Sequence, residues 1–471
     1  MSIRIPLSTR LVSVAYPLGD ALPATAANTT VPGPRTPRGV QALGFFTRSL
    51  PYFAKQHARY GDVFRVHIAD EKPWVVVATP ELVKQVFTGS PDVFHAGSAN
   101  SILLPLLGDS SVLLLDGKDH MRQRKLLLPA FHGERMARYG DIMREAAERE
   151  VETWPVGEEL QLAPRMQDVT LEVIMRAVFG MKEGAELDHV RALLLTLLDR
   201  VMQPSTFIAL AALGPHKYRE LSHVKKMLAP ADEALFAEFA RRREAGDLAD
   251  REDILSLLML ARDEEGQPLT DRELRDELLT LLVAGHETTA TSLSWAIERL
   301  IRHPDKLARL QAELAEGKAE YLEAVIRETL RLRPVLPVVV RDLQTDVELG
   351  GFHLPAGTRV ACSIQLVHTN PEIYPDPHAF KPERFLDSKP GTYTWIPFGG
   401  GIRRCLGASF ALYEMKQVLP AVIQQLDLQP VKPAAERTAR RLITLTPGDR
   451  TRVRIAGRRT PAAAPLATMA A

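Results

Sequence analysis

A cysteine set among glycines can serve as a nucleophile, as a metal ligand or simply as a small buried hydrophobe. The stretch Phe398-Gly399-Gly400-Gly401-Ile402-Arg403-Arg404-Cys405-Leu406-Gly407 crowds three glycines ahead of Cys405 and places a fourth two residues behind it. Glycine permits backbone conformations that side chains forbid, so this loop presents its sulfur rather than packing it away. Ala411, Leu412, Met415, Val418 and Leu419 follow at helical spacing. Cys405 therefore lies just ahead of a helix N-terminus, where unpaired N–H groups favour a thiolate. Arg403 and Arg404 add positive charge beside it.

No local signature of a cysteine nucleophile surrounds Cys405. Zinc and iron–sulfur sites need several cysteines, and the only other one, Cys362, lies in an apolar, strand-like run. Haem iron needs a single axial sulfur, because the porphyrin supplies its equatorial bonds. Most free cysteines are small buried hydrophobes, and Cys405 taken alone would be read that way. The ten residues nevertheless match Phe-x-x-Gly-x-Arg-x-Cys-x-Gly at every fixed position: Phe398, Gly401, Arg403, Cys405 and Gly407. The stretch closely resembles the haem-binding signature of the cytochrome P450 family of haem-thiolate monooxygenases. The resemblance implies haem b as cofactor, Cys405 as its metal ligand, and Phe398, Arg403 and Gly407 among the residues that hold it.

Thr270-Asp271-Arg272-Glu273 reads as a capping box, and Pro304 stops a helix that can run from there to about His303. Such a helix is ~50 Å long and crosses the molecule. Halfway along it lies Ala284-Gly285-His286-Glu287-Thr288-Thr289. A mid-helix glycine costs about 1 kcal/mol relative to alanine, and Thr288 can bond back to the carbonyl of Ala284, so a local distortion is expected. A zinc site of the His-Glu-x-x-His type would need a second histidine at position 290, which is Ala290. The segment resembles the oxygen-activating motif of the same family. That resemblance implies Glu287 and Thr288 as the proton-delivering pair, with Ala284 and Gly285 leaving room for dioxygen and bordering the substrate.

His120 and Arg124 stand one helical turn apart, which by spacing alone is a solvated basic face. Glu328 and Arg331 at i, i+3 are by themselves a weak surface pair. In the light of the resemblance, His120, Arg124 and Arg341 hold the haem propionates, and Glu328, Arg331 and Arg384 form a buried ion network behind the cysteine loop. Val335, Leu336 and Val338, in the apolar run after Pro334, then line the substrate pocket together with Ala284 and Gly285.

The elements that position these residues are mostly helical. From Ile142 to Asp263 the period is almost continuously that of helices, with Pro204–Pro215 a candidate moving segment over the pocket. Phe64, Val66 and Ile68 alternate with polar residues and precede Trp74–Val77, which indicates a β-hairpin. A second hairpin is expected over Leu442–Ile455 through Pro447-Gly448-Asp449, and Pro420 is expected to kink or end the helix after Cys405. Ile102–Leu107 suits either a core piece or a substrate-facing loop. The expected fold is mainly α with a smaller β-rich lobe, the P450 fold. It comprises an N-terminal extension over 1–31, one domain over 32–455 and an unstructured tail over 456–471.

Composition is that of an ordinary globular chain: 471 residues, 45% hydrophobic, 25% charged. A net charge of +1 gives no support for a nucleic-acid partner. Two cysteines argue against a disulfide framework. No apolar run approaches the ~20 residues that span a bilayer, so no membrane anchor and a cytoplasmic monomer are expected. The resemblance implies an oxygenase that takes one atom from O2 into an apolar small molecule such as a fatty acid, terpenoid or steroid. Only 66 residues follow Cys405 and no flavin or iron–sulfur motif appears, so electrons are expected from a separate ferredoxin or flavodoxin and its reductase. Arg122, Lys125, Arg404 and Lys416 are candidates for their docking face. Peroxide-driven oxygenation and a haem carrier or sensor are the alternatives.

Overall fold

A computed structural model describes residues 30–459 apart from 69–71, 132, 134, 182, 183, 202 and 442. Its axis is the helix Asp271–Ile301. Thr270 caps it through its side chain, which accepts from the Glu273 N–H at 3.2 Å, while the Glu273 carboxylate accepts from the Thr270 N–H at 2.8 Å. This is the reciprocal bonding expected of a capping box. Leu274, Leu278, Leu282, Leu293, Trp295 and Ile297 are fully buried, because helices Leu162–Val173, Glu320–Leu332 and Ala408–Gln425 pack around it. The first of these ends in a π-turn over Ile174–Val178. Leu103, Leu104, Leu106 and Leu107 are buried, so the ambiguous apolar segment is largely core.

The β-rich lobe is a five-stranded sheet in the order Val63–Val66, Trp74–Val77, Arg359–Ser363, Val338–Leu343, Phe94–His95. Trp74–Val77 and Arg359–Ser363 run parallel and the other pairs antiparallel. Side chains alternate in period two. Val75, Val77, Val360 and Cys362 enter one apolar cluster, and Phe64, Val66, Val76 and Ala361 enter the cluster on the opposite face. The helix Arg38–Tyr60 covers the second face with Phe45 and Phe53.

Four expectations are corrected. Thr444–Pro447 pairs with Thr438–Arg441, while Arg452–Arg458 pairs with Leu426–Pro430 and Glu159–Gln161. The Pro447-Gly448-Asp449 segment is therefore a crossing between two sheets, where Arg450 and Thr451 take positive φ. Pro420 lies inside the helix Ala408–Gln425, which runs on past it. There burial of Val418, Leu419 and Val422 outweighs one lost backbone bond. Ala456 to Arg458 belong to a paired strand, and Arg459 N–H bonds Gln425 O at 2.8 Å, so no tail begins at 456. At the other end Val31 is buried. Residues 1–29 and 460–471 lie outside the described residues. Fourth, the central helix is continuous through Gly285 and carries no local break.

The ion network expected from Glu328, Arg331 and Arg384 is present and larger than three residues. Glu328 and Arg331 are wholly buried, with Arg331 Nε and Nη2 on the two carboxylate oxygens at 2.7 and 2.8 Å. Arg384 Nε lies 3.2 Å from Glu328, and the Lys381 N–H donates to it at 2.9 Å. Arg331 Nη1 also donates to His368 O and Pro377 O. The buried His368 ring returns from Nδ1 to Arg331 O at 3.1 Å and accepts the Ile396 N–H on Nε2 at 2.8 Å. Ile396 is two residues ahead of Phe398, so one imidazole ties the ion pair to the cysteine loop.

Burial, reinforced by Arg331, pushes the His368 pKa down to about 3. The unfolded chain takes up this proton below about pH 6.5 and the folded chain does not until about 3, so the contribution of His368 to stability is complete above 6.5 and is lost as the pH falls between the two values. Unfolding free energy should fall by about 1.4 kcal/mol per pH unit for each such histidine within that window. His368→Gln should be less stable at pH 7 yet shallower in its acid dependence by about one proton, read from urea unfolding at pH 7, 6 and 5. An unchanged slope would show that His368 does not hold the neutral state. Glu328→Gln should cost about 3–5 kcal/mol in the same experiment, because it leaves Arg331 buried without its counter-charge.

Candidate functional site

The cysteine loop is shaped by what it presses against. A Cβ on Gly400 would lie 2.2 Å from the Phe87 ring, and one on Gly401 would lie 2.0 Å from the Phe87 carbonyl oxygen, with φ already at +66°. Only glycine fits position 401. Phe398 packs edge-on to Trp395 at 6.0 Å, and the Cys405 N–H closes the loop on Phe398 O at 2.9 Å. Gly407 stands at the start of the helix Ala408–Gln425. The Cys405 side chain presents open surface, yet protein surrounds the sulfur closely enough that burial raises its pKa. The Gly407 backbone, Arg404 and Arg124 pull it back only in part. The loop alone therefore does not produce the thiolate expected from sequence. Coordination to a metal ion does deprotonate such a thiol.

Four basic side chains converge from three elements, and one of them, Arg124, acts on the sulfur. His120 and Arg124 come from the helix Gly117–Leu127, Arg341 from the strand Val338–Leu343 and Arg403 from the loop. A small recess is lined by Phe87, Phe94, His120, Arg341 and Arg403. Arg403 donates to Val112 O at 3.1 Å, to Leu115 O and to Asp116. Asp116 in turn accepts the N–H groups of Ala96, Gly97 and Ser98. Arg124 reaches Arg404 O at 2.9 Å. Arg341 is buried, donates to Val340 O at 2.8 Å and lies over the Phe87 ring. Among the described residues neither Arg341 nor Arg124 meets a carboxylate.

Burial pushes Arg403 down to about 10 and lowers Arg341. It also drives His120 to about 4, aided by Arg403 and Arg124. Desolvated cations with one shared acid among them are a costly arrangement unless an anionic group joins them. A ligand with one axial thiolate position and two carboxylates at its edge, such as haem, suits this donor set.

The second candidate stretch, on the central helix, is marked by a change in burial. Along the otherwise buried central helix Ala284 is exposed, and Val283, Gly285 and Thr288 are partly so. Thr288 Oγ1 donates to Ala284 O at 2.5 Å without breaking the helix. Gly285 turns elsewhere: a Cβ there would meet Ile174 Cδ1 in the π-turn at 3.4 Å, an ordinary contact. Glu287 is buried, with Thr444 Oγ1 at 3.5 Å and Arg441 Nε at 3.6 Å. Burial raises its pKa against the opposing pull of Arg441 and Thr444. Val335 is buried, and its carbonyl accepts the Leu445 N–H at 2.7 Å, whereas Leu336 and Val338 are partly open.

Several participants were not legible in the sequence. His286 is buried, is held at about pKa 4 by burial and then Arg441, and has an Nε2 with no partner among the described residues. Arg441 and Thr444 reach Glu287 across more than 150 residues, with no motif to announce them. The basic docking face is largely neutralised. Arg122 bonds Asp263 and Glu273, each at 2.6 Å, Lys125 bonds Glu264, and Lys416 lies 3.7 Å from Glu323. Arg404 alone of the four has no ion pair among the described residues.

The sequence model of the family described as Cytochrome P450 matches residues 40–450. A Mycobacterium tuberculosis protein named as cytochrome P450 135B1 is 42% identical over 443 residues, 93% of each chain. Cytochrome P450 138 of the same organism is 38% identical over 92% of this chain and 98% of its own. The structure of the retinoic-acid-bound cyanobacterial CYP120A1 superposes with a TM-score of 0.75 at 27% identity, over 90% of this chain and 98% of that one.

The two glycine motifs should respond oppositely to alanine. Gly401→Ala forces its Cβ onto the Phe87 carbonyl and should abolish haem retention in the purified protein while far-ultraviolet circular dichroism stays helical. Gly285→Ala meets only an ordinary contact and should retain haem, with stability equal to or up to about 1 kcal/mol above the parent.

Proposed function

The chain belongs to the cytochrome P450 family, with the haem-thiolate monooxygenase activity and haem b cofactor of that family, and on that premise we propose which of its residues carry the reaction. Cys405 would ligate the haem iron, and Phe398, Arg403 and Gly407 shape its loop. His120, Arg124 and Arg341 would hold the carboxylates of the cofactor. The unpaired, buried Arg341 supports this assignment best. When bound, thiolate-ligated haem supplies the activation of dioxygen.

Glu287 and Thr288 move protons to the open face of the central helix. Thr288 holds its hydroxyl there through the bond to Ala284 O. Glu287, whose carboxyl is held above the usual range by burial and restrained by Arg441, exchanges with solvent through the half-exposed hairpin. Retention of both an acid and an alcohol supports O2 rather than peroxide as the oxidant. Ala284, Leu336 and Val338 border an apolar substrate, with Val335 backing them and Gly285 packed against Ile174. A fatty acid, terpenoid or steroid fits these walls, and the retinoic acid in a solved relative is a ligand of that kind. Electrons come from a separate ferredoxin or flavodoxin with its reductase. The single domain that does this spans 32–459, allowing for the terminal strand.

The observation that carries the proposal is one open thiol in a loop only glycine can form, flanked by Arg124 and Arg341, which meet no carboxylate among the described residues. The reduced protein under carbon monoxide should show the absorption band of thiolate-ligated iron, and Cys405→Ser should lose it. A band that ignores the substitution would overturn the assignment. Thr288→Ala should keep that band and its haem content but divert several-fold more of the consumed NAD(P)H into hydrogen peroxide. Unchanged coupling would remove Thr288 from proton delivery.

A further inference from the structure

Between Asp20 and Asp62 the sequence has no acidic residue but carries Arg35, Arg38, Arg48, Lys55 and Arg59, in a chain of net charge +1. All five basic side chains are exposed, and none forms an ion pair among the described residues. The nearest acid, Asp62, is taken by His57 at 2.7 Å. The helix Arg38–Tyr60, kinked at Arg48 ahead of Pro51, buries Gln41, Phe45, Ser49, Phe53 and Gln56 against the β-rich lobe. On its outer side Val40, Leu43 and Phe46, spaced i, i+3, i+6, are 54%, 63% and 47% exposed. No large apolar side chain among the described residues is more exposed than Leu43. The helix thus has two apolar faces, one in the core and one ringed by cations.

The patch extends onto the hairpin that holds Glu287. Arg440 lies over Phe45 at 4.1 Å and over Phe46 at 5.7 Å, and its Nε and Nη2 have no partner among the described residues. Ile443, at the turn of that hairpin, is 38% exposed. The cluster beneath the helix includes Val338 and Val340 of the strand that walls the site. The outer face therefore lies over one side of the substrate region.

We propose that the outer face of the first helix docks on an anionic lipid surface, with Leu43 and Phe46 at headgroup depth and Arg35, Arg38, Arg48 and Lys55 on the phosphates. No helix of the described residues is long and apolar enough to cross a membrane. A helix with an exposed apolar face and several exposed basic side chains lies instead in the interface plane. Charge complementarity selects the occupant. Four cations and no acid around three apolar anchors match a surface that offers uniform negative charge over an apolar interior. Docking there brings the wall of the site next to the phase into which apolar molecules partition.

Full-length, haem-loaded protein should co-sediment with vesicles containing phosphatidylglycerol, should be released as salt rises, and should not bind vesicles of phosphatidylcholine alone. Arg35→Glu/Arg38→Glu/Arg48→Glu should lower the vesicle partition by at least about 100-fold, taking each cation near the surface as roughly a factor of five. Leu43→Asp/Phe46→Asp should lower it as well. Both variants should keep the reduced carbon monoxide spectrum, which shows that they fold and load haem. A control reversing exposed Lys225, Lys226 and Lys318 should bind like the parent. Equal binding to neutral vesicles, or unchanged binding by both first-helix variants, overturns the proposal. So does a concentration-dependent dimer in sedimentation velocity that Leu43→Asp/Phe46→Asp abolishes while the parent ignores vesicles, since the face would then join two copies. The salt series needs no variant and tests the charge argument by itself.

Discussion

The structure depends on an ion pair that water never reaches. Glu328 and Arg331 are both wholly buried, and such a pair is tolerable only when nearly every donor and acceptor is satisfied. Arg331 meets this by spending its guanidinium on the carboxylate and on the carbonyls of His368, Pro377 and Ala379. Those carbonyls lie at the end of the short helix Ile364–His368 and in the long segment between it and the cysteine loop, which has little regular structure of its own. The charge pair therefore folds that segment by demanding acceptors from it. His368 passes the constraint to Ile396, and the loop itself is closed by Cys405 N–H on Phe398 O.

Structural and functional charges in this chain can be told apart by whether they are paired. Arg242 is as deeply buried as Arg331 and meets Glu238, Asp253, Ser256 and the Phe179 carbonyl. Arg341, also buried, meets among the described residues only the carbonyl of its neighbour and the Phe87 ring, and His120 is pressed toward its neutral form by burial and by two arginines. A fold that satisfies one buried guanidinium completely leaves another unsatisfied at the place where an anionic cofactor edge would go. Uncompensated charge concentrated at a functional site is the usual form of the conflict between stability and binding.

The central helix joins the two halves of the site. Its capped start and its packing on three sides make it a rigid rod, and past its first turn the one exposed residue is Ala284, in the stretch that carries the acid Glu287 and the alcohol Thr288. The hairpin Thr438–Pro447 touches this stretch through Arg441 and Thr444 and touches the first helix through Arg440. One small element thus lies between Glu287 and the cationic outer surface.

Much of the site was legible from residue types alone. Gly401 declares a strained loop, because only glycine takes that backbone beside Phe87. Thr270 and Glu273 declare a helix start, and Phe64 to Val77 a hairpin, because capping and alternation are local properties of the chain. Pairings over long separations were not legible. Arg122 looks like a free surface cation until Asp263 and Glu273 arrive beside it. Thr444–Pro447 has two equally strand-like neighbours and pairs with the earlier one. Pro420 reads as a stop signal yet is carried inside a helix by the apolar contacts around it. Local sequence sets which backbone conformations are cheap and which face is apolar. Which surfaces meet, and hence which charges find partners, is decided only when the whole core closes, since that energy belongs to contacts between distant segments.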